Sequence, residues 1–281
     1  MMDVAQVRSA FLPEMRKLSA FLRRDALIAW SYRRGAVSDV VGMLVQALMF
    51  YFLSSLVDPA RMPQLGGTRA GYMGFVVVGL TVAAFYQIGV TRMMGAVQNE
   101  RLVGTFETLL VTPTAYATLQ LGFVIYDILR IPVRTGIFLV LATTLFGVQV
   151  HWAGMAQVAV IVLALLPFVW GVAAVLTAAV VAFRQVASLV GLANFVLVLA
   201  SGTYFPLHLL PPWLAKTAAI NPLAMALNGA RAALLGGTGW AAILPQTAVV
   251  FAMSIATWIV GTFAFHFALE RERHTGTLGL Y

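Results

Sequence analysis

The sequence predicts an all-α membrane protein with six transmembrane helices, preceded by an amphipathic helix that lies on the membrane surface. Three observations lead there. Hydrophobic residues make up 61% of the 281 residues and charged residues only 10%, against roughly 45–50% and about 25% in a soluble chain. The apolar residues gather in long uncharged runs, the form taken by a chain whose solvent is a bilayer. The Lys and Arg residues are divided unevenly between the segments that join those runs. So few charges cannot cover a soluble protein of this length, and so apolar a chain is not disordered.

Residues 8–34 come first. Phe11, Met15, Leu18 and Leu22 recur at helical spacing, with Glu14, Arg16, Lys17, Arg23 and Arg24 between them, the pattern of an interfacial helix. Residues 1–37 carry charges throughout and lack the apolar core of a signal peptide. They are expected to remain as a cytoplasmic N-terminal unit, with the membrane domain over 38–281.

A helix needs about 20 apolar residues to cross the hydrocarbon. Residues 40–57 supply span one, closed by Asp58-Pro59, and 70–91 supply span two. The uncharged run 135–183 is 49 residues long, too long for one span, and 147–154 offers the turn that divides it into spans three and four. The run 185–215 holds span five up to about Tyr204, and 232–269 holds span six after Gly236, Gly237 and Gly239. The six helices are placed near 38–57, 72–93, 119–147, 154–182, 187–204 and 243–266. None of these runs alternates as barrel strands do, so helices are the form that satisfies the backbone in lipid.

Twelve Lys and Arg residues fall before span one, in the 2–3 and 4–5 connections and in the C-terminal tail; Arg61, Arg69, Lys216 and Arg231 fall on the other side. By the positive-inside rule both termini are cytoplasmic. The same placement accounts for the net charge of +8 through contact with membrane lipid, and no nucleic-acid partner is expected. With no cysteine, disulfides, thiolate metal sites and cysteine nucleophiles are excluded. The two lysines, Lys17 and Lys216, do not follow a glycine, so no phosphate-cradling P-loop is present. His151, His208, His266 and His274 are scattered, and no catalytic, cofactor or metal site is expected in this chain.

The connection after span two reads Asn99-Glu100-Arg101-Leu102-Val103-Gly104-Thr105-Phe106-Glu107-Thr108-Leu109-Leu110-Val111-Thr112-Pro113-Thr114. Acids near its start favour a helix N-terminus, and Thr112-Pro113 restricts the turn that follows. Phe106, Leu109 and Leu110 offer an apolar face beside the charges of Glu100, Arg101 and Glu107. The residues fit equally a helix docked in a groove of another protein and an ordinary surface loop.

Here the chain resembles the membrane subunits of ABC-2 type transporters, in the branch that exports drugs, lipids and lipo-oligosaccharides. The likeness rests on the pattern E-R-x-x-G-T-x-E-x-L-x-x-T-P after span two, and on Ser201-Gly202-Thr203-Tyr204-Phe205-Pro206, Leu210-Pro211-Pro212-Trp213, Asn221-Pro222-Leu223 and Arg231 between spans five and six. Residues 31–39 match the start of the polysaccharide-exporter branch poorly. The resemblance implies a permease of a bacterial cytoplasmic membrane, working by alternating access. It would pair as a homodimer or with a related subunit, and be driven by two copies of a separate ATP-binding-cassette subunit. ATP and magnesium would be bound by that partner, not here. It makes residues 98–114 a coupling helix, with Glu100, Arg101, Gly104, Thr105, Glu107, Thr112 and Pro113 as the residues that match. It makes 205–235 a short re-entrant helical segment at the outer face, marked by Phe205, Pro206, Asn221, Pro222 and Arg231, where prolines suit breaks in helix.

Polar residues inside the spans are the remaining signal. Asp127, Arg130 and Arg134 share one helical face. Either span three begins near Ile128 and these charges snorkel at the cytoplasmic interface, or it begins near 119 and they face a polar cavity or subunit interface. Tyr86, Gln87 and Asn194 are polar groups within spans two and five, candidates for cargo contact or for ordinary interhelical hydrogen bonds. An ion-coupled secondary exporter is the first rival reading, with Asp127 its available membrane acid. A polysaccharide or glycolipid exporter subunit, a non-transporting scaffold and an intramembrane enzyme are the others.

Overall fold

Each of the six expected spans falls on a helix. The computed structural model describes residues 4–31, 33–56, 69–103, 116–183, 187–209, 211–218 and 220–275. Among them the elements are all helical: α1 (Val4–Ser31), α2 (Arg33–Leu56), α3 (Arg69–Val103), α4 (Tyr116–Phe146), α5 (Met155–Ala182), α6 (Ala187–Leu199), α7 (Pro212–Ala218), α8 (Pro222–Leu234) and α9 (Trp240–Thr275). Single turns of 3-10 helix at Trp152–Gly154 and Leu207–Leu209 lead into α5 and α7. Three segments are long and apolar enough to cross a bilayer, Gly71–Gly95 in α3, Trp152–Ala182 ending α5 and Trp240–Arg271 in α9. Thr135–Phe146 of α4 and Ser188–Leu199 of α6 are shorter apolar helices.

Several boundaries move from their sequence-based places. Helix α3 continues to Val103, so residues 98–103 of the expected coupling element are its last turns. At 35 residues it is about 52 Å long, against a hydrocarbon layer of about 30 Å. Helix α4 runs unbroken from Tyr116, so the helix itself does not begin at Ile128, and its apolar part is Thr135–Phe146. Helix α2 starts at Arg33, ahead of the expected domain boundary at 37. Helix α6 stops at Leu199, because Gly202 takes a left-handed conformation (φ 74°) in the turn that follows.

Helix α3 is the centre. One face packs with α5 and α8 through Val78, Val82, Tyr86, Leu165, Phe168 and Leu227. The other packs with α2 and α4 through Phe50, Met73, Val76, Phe138 and Leu139. Helix α1 lies along α4, and the Phe21 ring sits where a side chain at Gly122 would be. Leu18 and Leu22 of its expected apolar stripe are half-buried and Met15 is exposed. Val45, Met49 and Phe52 of α2, Leu189, Leu192 and Phe195 of α6, and Val260, Phe263 and Phe267 of α9 all face outward. That is the arrangement expected where lipid is the solvent.

Helices α5 and α9 start at the same end and run parallel. There Gly154 abuts the Ala233 carbonyl and the Gln157 amide donates to the Thr238 carbonyl (2.9 Å). Further along, Gly261 lies against the Gly171 backbone and Gly171 against the Thr257 carbonyl, with no room for a Cβ at either. Small residues let two apolar helices come into backbone contact, which is how helices gain packing energy in lipid.

Candidate functional site

Helices α3 and α6 cross antiparallel and are joined at two places. The first is polar. The Tyr86 hydroxyl donates to Asn194 Oδ1 (2.7 Å), and Asn194 Nδ2 donates to Gln87 Oε1 (2.7 Å). Tyr86 is fully buried, its ring 6.0 Å from that of Phe168 on α5, so the network is anchored in the core. Gln87 and Asn194 are half-buried. The three residues singled out as isolated polar groups are therefore one chain of hydrogen bonds. It satisfies the Asn194 carbonyl oxygen and one amide hydrogen, and leaves the Gln87 amide hydrogens without an acceptor among the described residues. Such donors at a half-open face can bind an acceptor on a ligand.

On the Gln87 face of α3 lie Thr91, which is exposed, and, beyond Met94, the half-buried Gln98, positions within about 40° of one another at helical spacing. The Thr91 hydroxyl donates back to the Gln87 carbonyl (2.7 Å). Arg92 is exposed beside it.

The second joint gathers the motif residues of the segment after α6. Arg231 of α8 is buried. Its Nε donates to the Phe75 carbonyl of α3 (3.3 Å), and Nη2 donates to the carbonyls of Gly202 (2.9 Å) and Thr203 (3.2 Å). The guanidinium carbon lies 3.4 Å from the Phe75 ring centroid, a cation–π contact. Gly79 makes the approach possible, since a Cβ there would collide with the Thr203 carbonyl and Arg231 Nη2. The positive charge sits beyond the C-terminal end of α6, where the helix dipole concentrates negative potential.

Asn221 fixes the start of α8. Its side-chain oxygen accepts from the Leu223 amide (3.0 Å) as an N-cap, with Pro222 in the first helical position. Its Nδ2 donates to the Leu197 carbonyl of α6 (3.2 Å). Pro206 is buried and Phe205 exposed. Two bonds that the sequence did not announce tighten the same end: Gln157 to Thr238 and Gln246 Nε2 to the Met225 carbonyl (2.9 Å).

The remaining site residues are placed unevenly. Glu100 and Arg101 lie in the last turn of α3, their side chains outside the described residues, and Gly104, Thr105, Glu107, Thr112 and Pro113 lie outside them altogether. Asp127 and Arg134 are on α4, also without described side chains. Arg130 is half-buried, 5.5 Å from the Tyr126 ring. Phe75 and Gly79 were not singled out from sequence. A glycine in the middle of an apolar span was the available sign of close approach, whereas the Phe75 carbonyl carries no sequence signal.

A family model described as ABC-2 type transporter matches residues 16–235, a stretch that runs from α1 to the end of α8 and includes both joints. Comparison with curated proteins gives no match.

Proposed function

This chain belongs to the ABC-2 type transporter family, and we propose that an amphipathic, lipid-linked or drug-like molecule leaves the cytoplasm or inner leaflet through it. Membership makes it an integral membrane protein and the permease subunit of an ABC transporter, whose family works with an ATP-binding-cassette partner. The proposed assembly has two such partners, which bind ATP and magnesium, and a second copy of this chain. It sits in a bacterial cytoplasmic membrane with both termini in the cytoplasm. The region 205–235 forms the re-entrant segment at the outer face.

The observation that carries this reading is the reach of α3. It is longer than the hydrocarbon by about 20 Å and ends in Asn99, Glu100 and Arg101. It also carries Gln87 and Tyr86 of the polar network and Phe75 of the Arg231 joint. A force applied by the cassettes at residues 98–114 would travel along one rigid helix to both joints with α6. Alternating access needs contacts that differ between two states. The amide–hydroxyl chain between α3 and α6 suits that, because its donors can exchange a protein acceptor for one on the cargo. Arg130 and Arg134 are proposed to meet an anionic head group of the cargo. Replacing both arginines with Gln should lower transport while the cassettes still assemble.

The test is a pull-down of the tagged chain from native membranes, with ATPase activity measured on the eluate. A cassette ATPase should co-purify with the wild type and be lost with Glu107→Arg. Failure of any ATPase to co-purify in mild detergent would remove the energy source and with it the exporter reading.

A further inference from the structure

We propose that Arg231 is the latch that keeps the outer end of the α3–α6 crossing closed, and that it releases the turn 200–205 during transport. The proposal rests on the exporter reading for its direction, since that reading makes this end the outer one.

The geometry separates a latch from a fixed core contact. The turn 200–205 holds itself together: the Ser201 hydroxyl donates to the Val198 carbonyl (2.6 Å) and is 2.7 Å from the Thr203 hydroxyl. It can therefore pivot about the end of α6, carrying Val198 with it and keeping both contacts. What ties it across to α3 is the Arg231 guanidinium, bridging the Gly202 and Thr203 carbonyls on one side and the Phe75 carbonyl and ring on the other. Among the described residues these hydrogen-bond acceptors are all neutral carbonyls. Such bonds are weaker than those of a guanidinium to a carboxylate, and water can replace them when the turn moves.

Position gives the latch its purpose. Gly79 faces Thr203 while Tyr86 bonds Asn194, so the same two helices are joined twice. The joints are seven residues apart on α3, about 10 Å along the helix. The Arg231 joint is the outer of the two. A cargo group leaving the Gln87–Asn194 donors toward the outer face would next meet the turn that Arg231 holds. Asn221, bonded to the Leu197 carbonyl, supplies the hinge side, because α6 remains tied there when the turn opens.

The chain has no cysteine, so Thr203→Cys introduces a single thiol at a fully buried position. The probe is a membrane-impermeant maleimide added to intact cells making the full chain. With Arg231 present the thiol should label slowly, and more slowly still when cellular ATP is drained. With Arg231→Met it should label about tenfold faster, as expected when a charge-assisted tie is removed, and without regard to ATP. Arg231→Lys keeps the charge and loses the planar fork, so it should fall between. Leu227→Cys, fully buried in the α8 core, should stay unlabelled in every background.

Labelling of Thr203→Cys that is unchanged by Arg231→Met overturns the latch. So does labelling of Leu227→Cys in that variant, which would mean lost packing. If Arg231→Met fails to reach the membrane, Arg231→Lys decides, and a rate equal to the parent's overturns the proposal. An ATP-independent parent rate in a chain that does co-purify with a cassette ATPase also overturns it. Absence of the cassette ATPase sinks the exporter reading instead, and the Arg231→Met difference then still decides the latch.

Discussion

Helix α9 meets α5 backbone to backbone, whereas α6 meets α3 through side chains. At the first seam Gly261 and Gly171 leave no space for another atom. Its one described polar tie is at the start, from Gln157 of α5 to the Thr238 carbonyl just before α9; along the helices the buried hydroxyls of Thr177 on α5 and Ser254 on α9 have no hydrogen-bond partner among the described residues. At the second seam the helices are held by Tyr86, Asn194, Gln87 and the Arg231 bridge, while Leu189, Leu192 and Phe195 of α6 face outward. Both pairs are apolar helices with lipid as solvent, where burial against a neighbour gains little over burial in acyl chains. The lesson is that the two solutions to that problem behave differently. Shape-matched backbone contact has one good geometry. Hydrogen bonds between flexible side chains can be remade with a new partner. The α5–α9 pair is therefore expected to move as one body, and α6 to move against α3.

Substitutions that separate shape from polarity test the contrast. Gly261→Ala should have the largest effect, destabilising by about 3 kcal/mol, because the methyl group would meet the Gly171 backbone rather than a yielding side chain. Thermal unfolding of the purified chain in detergent measures it, and a loss smaller than that of the polar variants would break the contrast. Asn194→Leu comes next, at about 1.5 kcal/mol, because it strips a partner from both Tyr86 and Gln87. Its effect on transport should exceed its effect on stability, since the proposed cargo donors lose their alignment. Tyr86→Phe should be mildest, about 0.6 kcal/mol, as it removes one hydroxyl and keeps the ring against Phe168. In the double variant the two costs should not add, because both act on one bond. Full additivity would show that the network is not a unit.

The existence and order of the spans were legible because uncharged runs near the thickness of a bilayer leave a chain few alternatives to helix. Their ends were less so. The charged stretch 92–103 looked like a connection, yet α3 carries it as helix, since charge forbids lipid and does not forbid helix. The helix at 4–31 announced itself by its charge pattern, but not its neighbour. Phe21 docks on Gly122, and neither residue stands out in a sequence where phenylalanine and glycine are common. Tyr86, Gln87 and Asn194 were visible one at a time, as rare polar groups in apolar runs. Their union needed the crossing of two helices more than 100 residues apart.

By itself the sequence determined the solvent and the helices; the turn at Gly202, where span five was expected to run on to about Tyr204, and the Asn221-Pro222 start of α8 became legible only with the structure. The solvent and the helices follow from transfer of apolar runs out of water, and the turn and the helix start from the conformational freedom of glycine and a cap that satisfies a free amide. Only the tertiary structure decided which helix became the centre, that Arg231 would be held by carbonyls from two other elements, and that two glycines would face each other across α5 and α9. Those depend on backbone atoms, which every residue has and which no sequence pattern distinguishes.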